Sequence, residues 1–256
     1  MKKQQKTPPK IMDIHTHILP GVDDGAGNME EALALLRLAS DDGTQAILLT
    51  PHYRPPHKAN PQILQVAANA LREAARQENL KIRLLLGQEV RYQSEFPQKH
   101  KEGLFLPMAK SRYMLLEFST IAFNNQILAG VRDCLACGYI PILAHAERYD
   151  ALRCDSDLLE QVLRLGARIQ LNADSVMGKT GFRVKRFCHR LLKAEKVHFI
   201  ASDAHDLRLR PPTLSKCYAR VSKKYGEKYA RRLFWQNPRA LADGKELSQV
   251  TDTDET

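Results

Sequence analysis

Five of the nine histidines in this chain lie in four short motifs, three of which also carry a carboxylate. His15-x-His17 places two imidazoles on the same side of an extended segment, because side-chain direction repeats every two residues in such a segment. Both rings can therefore reach one ion. Asp203-x-His205 repeats the geometry with one carboxylate and one imidazole. His52 follows Thr50-Pro51, His145 opens His-Ala-Glu-Arg-Tyr, and Asp24 sits in the loop Gly21-Val22-Asp23-Asp24-Gly25. Glu89 and Glu117 each offer two oxygens and can bridge two cations. Five histidines and four carboxylates are too many ligands for one ion and suit two or three. No cysteine joins the set, which argues against a structural zinc. Mixed imidazole and carboxylate ligation fits manganese, iron or catalytic zinc. Cations clustered about 3.5–4 Å apart commonly serve phosphate-ester hydrolysis, by generating hydroxide at neutral pH and stabilising the in-line transition state.

Such a set must be delivered by the fold. Short β-rich runs are predicted at 11–15, 46–50, 82–86, 113–117, 140–144, 168–171 and 197–201. Helix-period stretches lie at 29–42, 61–79, 126–137, 155–165 and 182–196, the first with Asn28 as N-cap and Gly43 as its stop. Alternating β and α units point to parallel strands with crossover helices, hence a barrel or a doubly wound sheet. Nearly every strand then delivers a histidine or a carboxylate at its carboxyl end, with Asn172 after the sixth. That end is where α/β folds gather their chemistry. A single buried histidine is as readily a packing residue, but eight groups of metal-ligand type converging at one end are not.

Composition bounds the rest. The 256 residues are 43% hydrophobic and 27% charged, with a mean hydropathy of −0.41. These values fit one folded domain and do not suggest a membrane-embedded or disordered chain. The expected division is a basic flexible leader over 1–10, one folded domain over 11–242 and an acidic tail over 243–256. The leader has no apolar stretch behind it and does not read as a signal peptide, so a cytoplasmic location is expected. Five scattered cysteines argue against a disulfide framework, and Cys134-x-x-Cys137 reads as two small helix residues. The net charge is +10, with seventeen Lys/Arg against four Asp/Glu between 179 and 239. This excess is partly solvated helix face. It also suits attraction of an anionic phosphopeptide, and the leader suits weak peripheral association with an acidic membrane surface.

The ordered motifs resemble the PHP (polymerase and histidinol phosphatase) superfamily. They are Asp13-Ile14-His15-Thr16-His17, Val22-Asp23-Asp24-Gly25, Thr50-Pro51-His52, Gly87-Gln88-Glu89, Leu115-Leu116-Glu117-Phe118, His145-Ala146-Glu147-Arg148-Tyr149 and Ser202-Asp203-Ala204-His205. Within that superfamily the chain is similar to the manganese-dependent protein tyrosine phosphatases of bacterial capsule and exopolysaccharide operons. The resemblance covers about residues 11–242, including Arg210-Pro211-Pro212 and Phe234-Trp235-Gln236-Asn237-Pro238-Arg239. It implies a distorted seven-stranded (β/α) barrel with a trinuclear centre. The first ion would be held by His15, His17, Glu89 and Asp203, the second by Glu89, Glu117 and His145, and the third by Asp24, His52 and His205. Arg148 and Arg210 match phosphate-contacting arginines, the alternative being that they merely pair with a surface carboxylate. The implied substrate is a phosphotyrosine protein, in particular a bacterial tyrosine autokinase controlling capsule synthesis. The departures from the pattern read as peripheral: the leader, the segment Arg54-Pro55-Pro56-His57 and the acidic tail.

Three other readings compete. A small-molecule phosphatase of the histidinol phosphate type would share the centre and differ at the substrate mouth. A nucleic-acid phosphoesterase is motivated by the basic charge, but no nucleic-acid module or basic-aromatic interleaving is present, and no nucleic-acid partner is expected. A non-catalytic scaffold is disfavoured by nine intact ligand positions. A cysteine-dependent tyrosine phosphatase is excluded by spacing. The residues six positions after the five cysteines are Ile140, Leu143, Glu160, Ala194 and Lys223, none of them arginine. The expected nucleophile is therefore a metal-bound hydroxide. His57, His100, His189 and His198 read as surface or packing residues, and Trp235 as a packing anchor.

Overall fold

The computed structural model describes residues 9–57 and 59–247. Residues 1–8 of the expected leader and 248–256 of the expected tail lie outside the described residues. Nine strand segments run in chain order: β1 Ile11–Thr16, β2 Thr44–Leu49, β3 His52–Tyr53, β4 Arg83–Leu86, β5 Glu89–Arg91, β6 Tyr113–Glu117, β7 Ile140–Leu143, β8 Arg168–Asn172 and β9 Phe199–Ala201. Every pairing between them is parallel. One sheet has the order β1-β2-β4 and the other β3-β5-β6-β7-β8-β9. Backbone hydrogen bonds continue across the breaks, from Gly87 N to Leu49 O at 2.9 Å and from Glu89 N to Pro51 O at 3.2 Å. At the far side, His17 N donates to Ala204 O at 2.8 Å and Asp203 N to His15 O at 2.9 Å, so the chain after β9 returns to β1. The result is a mixed α/β fold around a curled parallel sheet.

The strands were expected to stop at Thr50 and Leu86, with His52 and Glu89 in the following loops. Instead the chain kinks and re-enters the sheet as β3 and β5. Pro51 has no N–H to continue the ladder. Gly87 is required by a close approach: a Cβ there would lie 3.0 Å from Met108 Cα. The second pieces pair in register, with His52 beside Glu89 and Arg91 beside Glu117. The break therefore carries both ligand-type residues into the sheet's carboxyl edge.

Six longer helices accompany the strands: α1 Met29–Asp41, α2 Pro61–Gln77, α3 Asn124–Ala136, α4 Ser156–Arg164, α5 Phe182–Lys193 and α6 Ser215–Tyr225. Asn28 caps α1 and Asn60 caps α2, each accepting from the backbone N–H three residues on at 2.9 Å. Met12, Ala46, Leu115, Ile142 and Phe199 share one buried cluster, although several of their strands are not neighbours in the sheet. Only the concave side of a curled sheet permits that. Trp235 packs against this cluster, as anticipated. A second, larger cluster fills the layer between sheet and helices, and a third lies under α1 and α2. All five cysteines are free thiols. Among the described residues, no helix is long and apolar enough to cross a membrane.

Candidate metal centre

The nine ligand-type residues meet at the carboxyl edge of the curled sheet. His15 comes from the end of β1, whose pairing with β2 slips between Asp13 and Thr16. Such an irregularity re-aims side chains. His15 Nε2 then lies 3.2 Å from His17 Nε2 and 3.4 Å from both Glu89 Oε1 and Asp203 Oδ1. His17 Nε2 is 3.4 Å from Glu89 Oε2 and 3.5 Å from Asp203 Oδ1. His145 Nε2 stands 2.9 Å from Glu89 Oε1. Asp24 Oδ1 is 3.3 Å from His52 Nε2 and 3.5 Å from His205 Nε2. Asp24 is the exposed member, with its side chain 41% accessible, while Glu89 is fully buried.

Ligand atoms within 4.8 Å of one another form three groups: His15, His17 and Glu89; His52, Glu89 and Glu117; and His17, Asp24, His52 and His205. Relative to the sets implied by resemblance, His52 is drawn toward Glu89 and Glu117, and His17 toward Asp24. Asp203 and His145 flank the groups at the distances given above.

A surrounding network fixes the rings. His17 Nδ1 donates to Asp23 Oδ2 at 2.7 Å, and His205 Nδ1 to the Asp203 carbonyl at 2.8 Å. His15 Nδ1 lies 3.1 Å from Gln170 Oε1, which also accepts from His145 N at 2.6 Å. Each of the three rings so held by Nδ1 turns the lone pair of Nε2 toward the centre. Asn172 Nδ2 donates to Asp203 Oδ2 at 2.8 Å. His145 and Asp203 adopt left-handed backbone, with φ of 32° and 56°. For residues other than glycine that conformation costs about 1–3 kcal/mol each and is held by the surroundings. Glu147, buried, accepts from Asn172 N at 3.2 Å, and the Tyr149 hydroxyl accepts from Phe118 N at 3.0 Å. These two motif residues pin the turn that presents His145 and Arg148.

The electrostatics are those of a cation site. Burial alone would raise the Glu89 and Asp203 carboxyls, yet the rings pressed around them, His15 foremost, hold both well below the usual carboxylate range. Burial disfavours a charged His52, but Glu89 and Asp24 lift it to about 9. Glu117 is pushed up by burial and by the Glu89 charge. Three buried atoms, His52 Nδ1, Glu89 Oε2 and Glu117 Oε2, make no well-formed hydrogen bond, although His52 Nδ1 lies 2.8 Å from Glu89 Oε2 as an ion pair. They belong to the same one of the three groups. Buried polar atoms without well-formed hydrogen bonds are costly unless something else satisfies them. An oxygen- and nitrogen-liking divalent cation fits that chemistry.

Arg148 and Arg210 both reach the mouth. Their guanidinium nitrogens lie 3.1 Å and 4.0 Å from Asp203 Oδ2, and their side chains are 34% and 37% accessible. Both pair with a carboxylate of the site itself, not one elsewhere on the surface. Arg54 requires a correction. Its segment reads as peripheral in the sequence, yet its Nη2 lies 2.9 Å from Asp24 Oδ2 and 3.0 Å from His52 Nε2. The short β3 beside β5 carries it to the centre, a placement the Pro55-Pro56 context concealed. Arg91 Nη1, 3.7 Å from Glu117 Oε1, was also missed. Its signal was the period-two spacing from Glu89. Asp23 lies inside the quoted motif Val22-Asp23-Asp24-Gly25 without a role assigned to it there, and Gln170 carried no signal in the sequence.

His198, His189 and His100 stand apart from the centre. His198 Nδ1 accepts from Ile169 N at 3.1 Å, His189 Nδ1 meets the Tyr225 hydroxyl at 2.6 Å, and His100 packs edge-on against Tyr139.

The family model for capsular polysaccharide synthesis, CpsB/CapC, matches residues 11–243. Tyrosine-protein phosphatase CpsB of Streptococcus pneumoniae is 34% identical over 242 residues, spanning 90% of this chain and 98% of that protein. Tyrosine-protein phosphatase YwqE of Bacillus subtilis strain 168 is 32% identical over 217 residues, spanning 84% and 85%. A solved structure from work on YwqE and CpsB, described as unique metal-dependent tyrosine phosphatases, superposes with a TM-score of 0.87 at 31% identity. It covers 92% of this chain and 96% of its own. With the family model spanning the whole of the curled sheet and its helices, the chain belongs to the CpsB/CapC family of capsular polysaccharide synthesis.

Proposed function

We propose that this protein is a metal-dependent protein-tyrosine phosphatase whose centre is built by His15, His17, Asp24, His52, Glu89, Glu117, His145, Asp203 and His205. The observation that carries the reading is the convergence of three overlapping groups of ligand atoms, each within 4.8 Å, with Glu89 shared between His15 and His17 on one side and His52 and Glu117 on the other. The names of the relatives above supply the substrate class. We take the cations to be two or three Mn²⁺, with iron or zinc able to use the same ligands. The kinked pairs β2/β3 and β4/β5 are counted as single strands, giving seven strands around the barrel. The domain extends over 11–242, and the leader and acidic tail lie beyond it.

Cations bound there supply an ionised water at neutral pH and neutralise phosphoryl charge. The rest is done by the chain. Asp23, Gln170 and the Asp203 carbonyl hold the imidazole tautomers. Arg148 and Arg210, already at the mouth, turn their planar forks to the phosphoryl oxygens that face away from the ligand cluster. Hydrolysis breaks the bond between phosphorus and the tyrosyl oxygen. The water's oxygen joins phosphorus, and a proton ends on the phenolate. Burial pushes the Cys134 thiol well up and the Cys217 thiol up to about 12, so neither offers a thiolate, and none of the five cysteines is followed by an arginine six residues on.

The substrate proposed is a phosphorylated bacterial tyrosine autokinase, met in the cytoplasm, with the basic leader giving weak attachment to an acidic membrane surface. The test is a substrate panel with the Mn²⁺-loaded protein: a phosphotyrosine peptide, histidinol phosphate and an oligonucleotide. Preference for the peptide by at least about tenfold in kcat/KM supports the reading. Preference for either other substrate overturns it.

A further inference from the structure

The basic excess between 179 and 239 resolves into a defined cleft. A depression of about 720 Å³ lies between α5, α6 and the short helix Asp150–Cys154. Arg183, Arg186, Arg190 and Lys193 line it, spaced at i, i+3, i+7 and i+10, so they share one face of α5. Lys224 of α6 faces them. Among the described residues, none of these five makes an ion pair, while the one acid in the lining, Asp150, is already paired with Arg153. Two aromatic rings line the cleft as well, but Arg190 stands over Phe187 at 5.2 Å and Lys224 over Tyr225 at 5.3 Å. The concentration of positive charge is felt by His189, whose imidazolium is disfavoured first by burial and then by Lys224, Lys185 and Arg220.

The cleft is a second site that adjoins the metal centre. The turn carrying Arg148 leads directly into the helix that carries Arg153, and Arg153 Nη1 donates to the Glu147 carbonyl at 2.8 Å. Four residues separate Arg148 from Arg153, the extended Tyr149 and then the first turn of the short helix, a path of at most roughly 11 Å that an extended chain spans in about three residues. The arginine face of α5 then continues for about 15 Å, or roughly four or five further residues of extended chain.

We propose that this cleft docks an acidic polypeptide segment of the phosphoprotein substrate, beginning about three residues from the phosphotyrosine. This rests on the phosphatase reading above. Three observations choose a peptide over other polyanions. The site is a concave channel, where a membrane would need a flat or convex face. Its aromatic rings are capped by cations and are not free to stack on bases. Its charge runs on from the substrate mouth. Held along the channel, acidic side chains lower KM without entering the chemistry.

The experiment uses the full-length, Mn²⁺-loaded protein and the variant Arg183→Gln/Arg186→Gln/Arg190→Gln. Two phosphotyrosine peptides are compared, one with Asp/Glu at positions three to eight from the phosphotyrosine and one with Asn/Gln there. The wild type should favour the acidic peptide by about tenfold in KM at low salt, with the advantage lost near 0.5 M salt, where screening acts over a few ångströms. The triple variant should lose that preference and keep its kcat and its turnover of a small aryl phosphate. Lys193→Gln/Lys224→Gln, on the same channel, should shift KM in the same direction and guards against misfolding of the triple variant. Binding of the unphosphorylated acidic peptide, followed by fluorescence anisotropy, needs no catalysis. It should be present in wild type and lost in the variants even if phosphotyrosine proves not to be the substrate. A preference unchanged in both variants overturns the proposal, as does a loss confined to binding of anionic vesicles or of an oligonucleotide.

Discussion

Asp23 offers the sharpest test of how the centre is organised. Its Oδ2 accepts from His17 Nδ1 at 2.7 Å and from His52 N at 2.9 Å, while Oδ1 accepts from Gly25 N at 3.1 Å. Although burial works against the charged form, the neighbouring His17 holds this carboxyl down at about 2, so it is an acceptor on both oxygens at working pH. Asp23→Asn keeps the shape but replaces one acceptor with an amide donor. If the amide nitrogen faces His17, it donates to Nδ1 and moves the ring proton to Nε2, the atom that looks toward Glu89 and Asp203. If it faces Gly25 instead, it opposes a backbone N–H. Either arrangement loosens a ligand. Loss of such a supporting partner typically costs 10–100-fold in metal affinity, or about 1.4–2.7 kcal/mol. Equilibrium dialysis against buffered Mn²⁺, with metal counted per chain, reads the affinity directly. Activity on a phosphotyrosine peptide should fall at limiting Mn²⁺ and recover substantially at saturation. An unchanged Mn²⁺ affinity would refute the claim that Asp23 sets the His17 tautomer.

Other perturbations give distinct readouts. Arg148→Ala and Arg210→Ala should each lower kcat/KM on a phosphotyrosine peptide by roughly 10- to 150-fold, the worth of one charge-assisted hydrogen bond, with lysine rescuing poorly; losses below about threefold in both would show that the cations alone hold the phosphate. Gly25→Ala would place a Cβ 1.8 Å from the His17 carbonyl oxygen, so the Asp23–Asp24 loop must move; thermal unfolding should show a loss of about 2 kcal/mol or more together with weakened metal binding, and a wild-type Tm would contradict the packing described. His198, depressed to about 3 first by burial and then by Arg168 and Arg232, stays neutral in the folded protein while the unfolded chain protonates it near 6.5. Stability is therefore full above pH 6.5 and falls as pH drops through that window, by roughly 3 kcal/mol at about 1.4 kcal/mol per unit after allowing for partial exposure. His198→Asn should flatten this part of the Tm–pH curve relative to wild type, and identical curves would count against the assignment.

The residues that carry chemistry were legible because ligand types are rare and their spacing matches the period of extended chain. His15, His17, Asp203 and His205 announce themselves in that way. Parallel strands with crossover helices followed from alternation of β and α stretches, but the choice of barrel over doubly wound sheet came only from the resemblance, and the kinks at Pro51 and Gly87 depend on a ladder hydrogen bond and on Met108 from a distant segment. Arg54 was hidden for the same reason: its place at Asp24 and His52 follows from β3 rejoining the sheet beside β5, not from any local pattern. Gln170, fully buried and serving both His15 and His145, looks in sequence like an ordinary polar residue of a strand. Helix α6 was not anticipated, since four of its eleven residues are Lys or Arg and its buried side, Cys217, Tyr218 and Val221, is short.

The central claim is that hydrolysis of phosphotyrosine depends on cations held by this cluster. It is tested most directly by stripping the purified protein with a chelator and titrating Mn²⁺ back. Metal per chain and turnover of a phosphotyrosine peptide are followed together. The stripped protein should be inactive, and activity should return in step with two to three ions per chain, with Glu89→Gln failing to regain either. Undiminished turnover in protein holding less than about a tenth of an ion per chain would contradict the account.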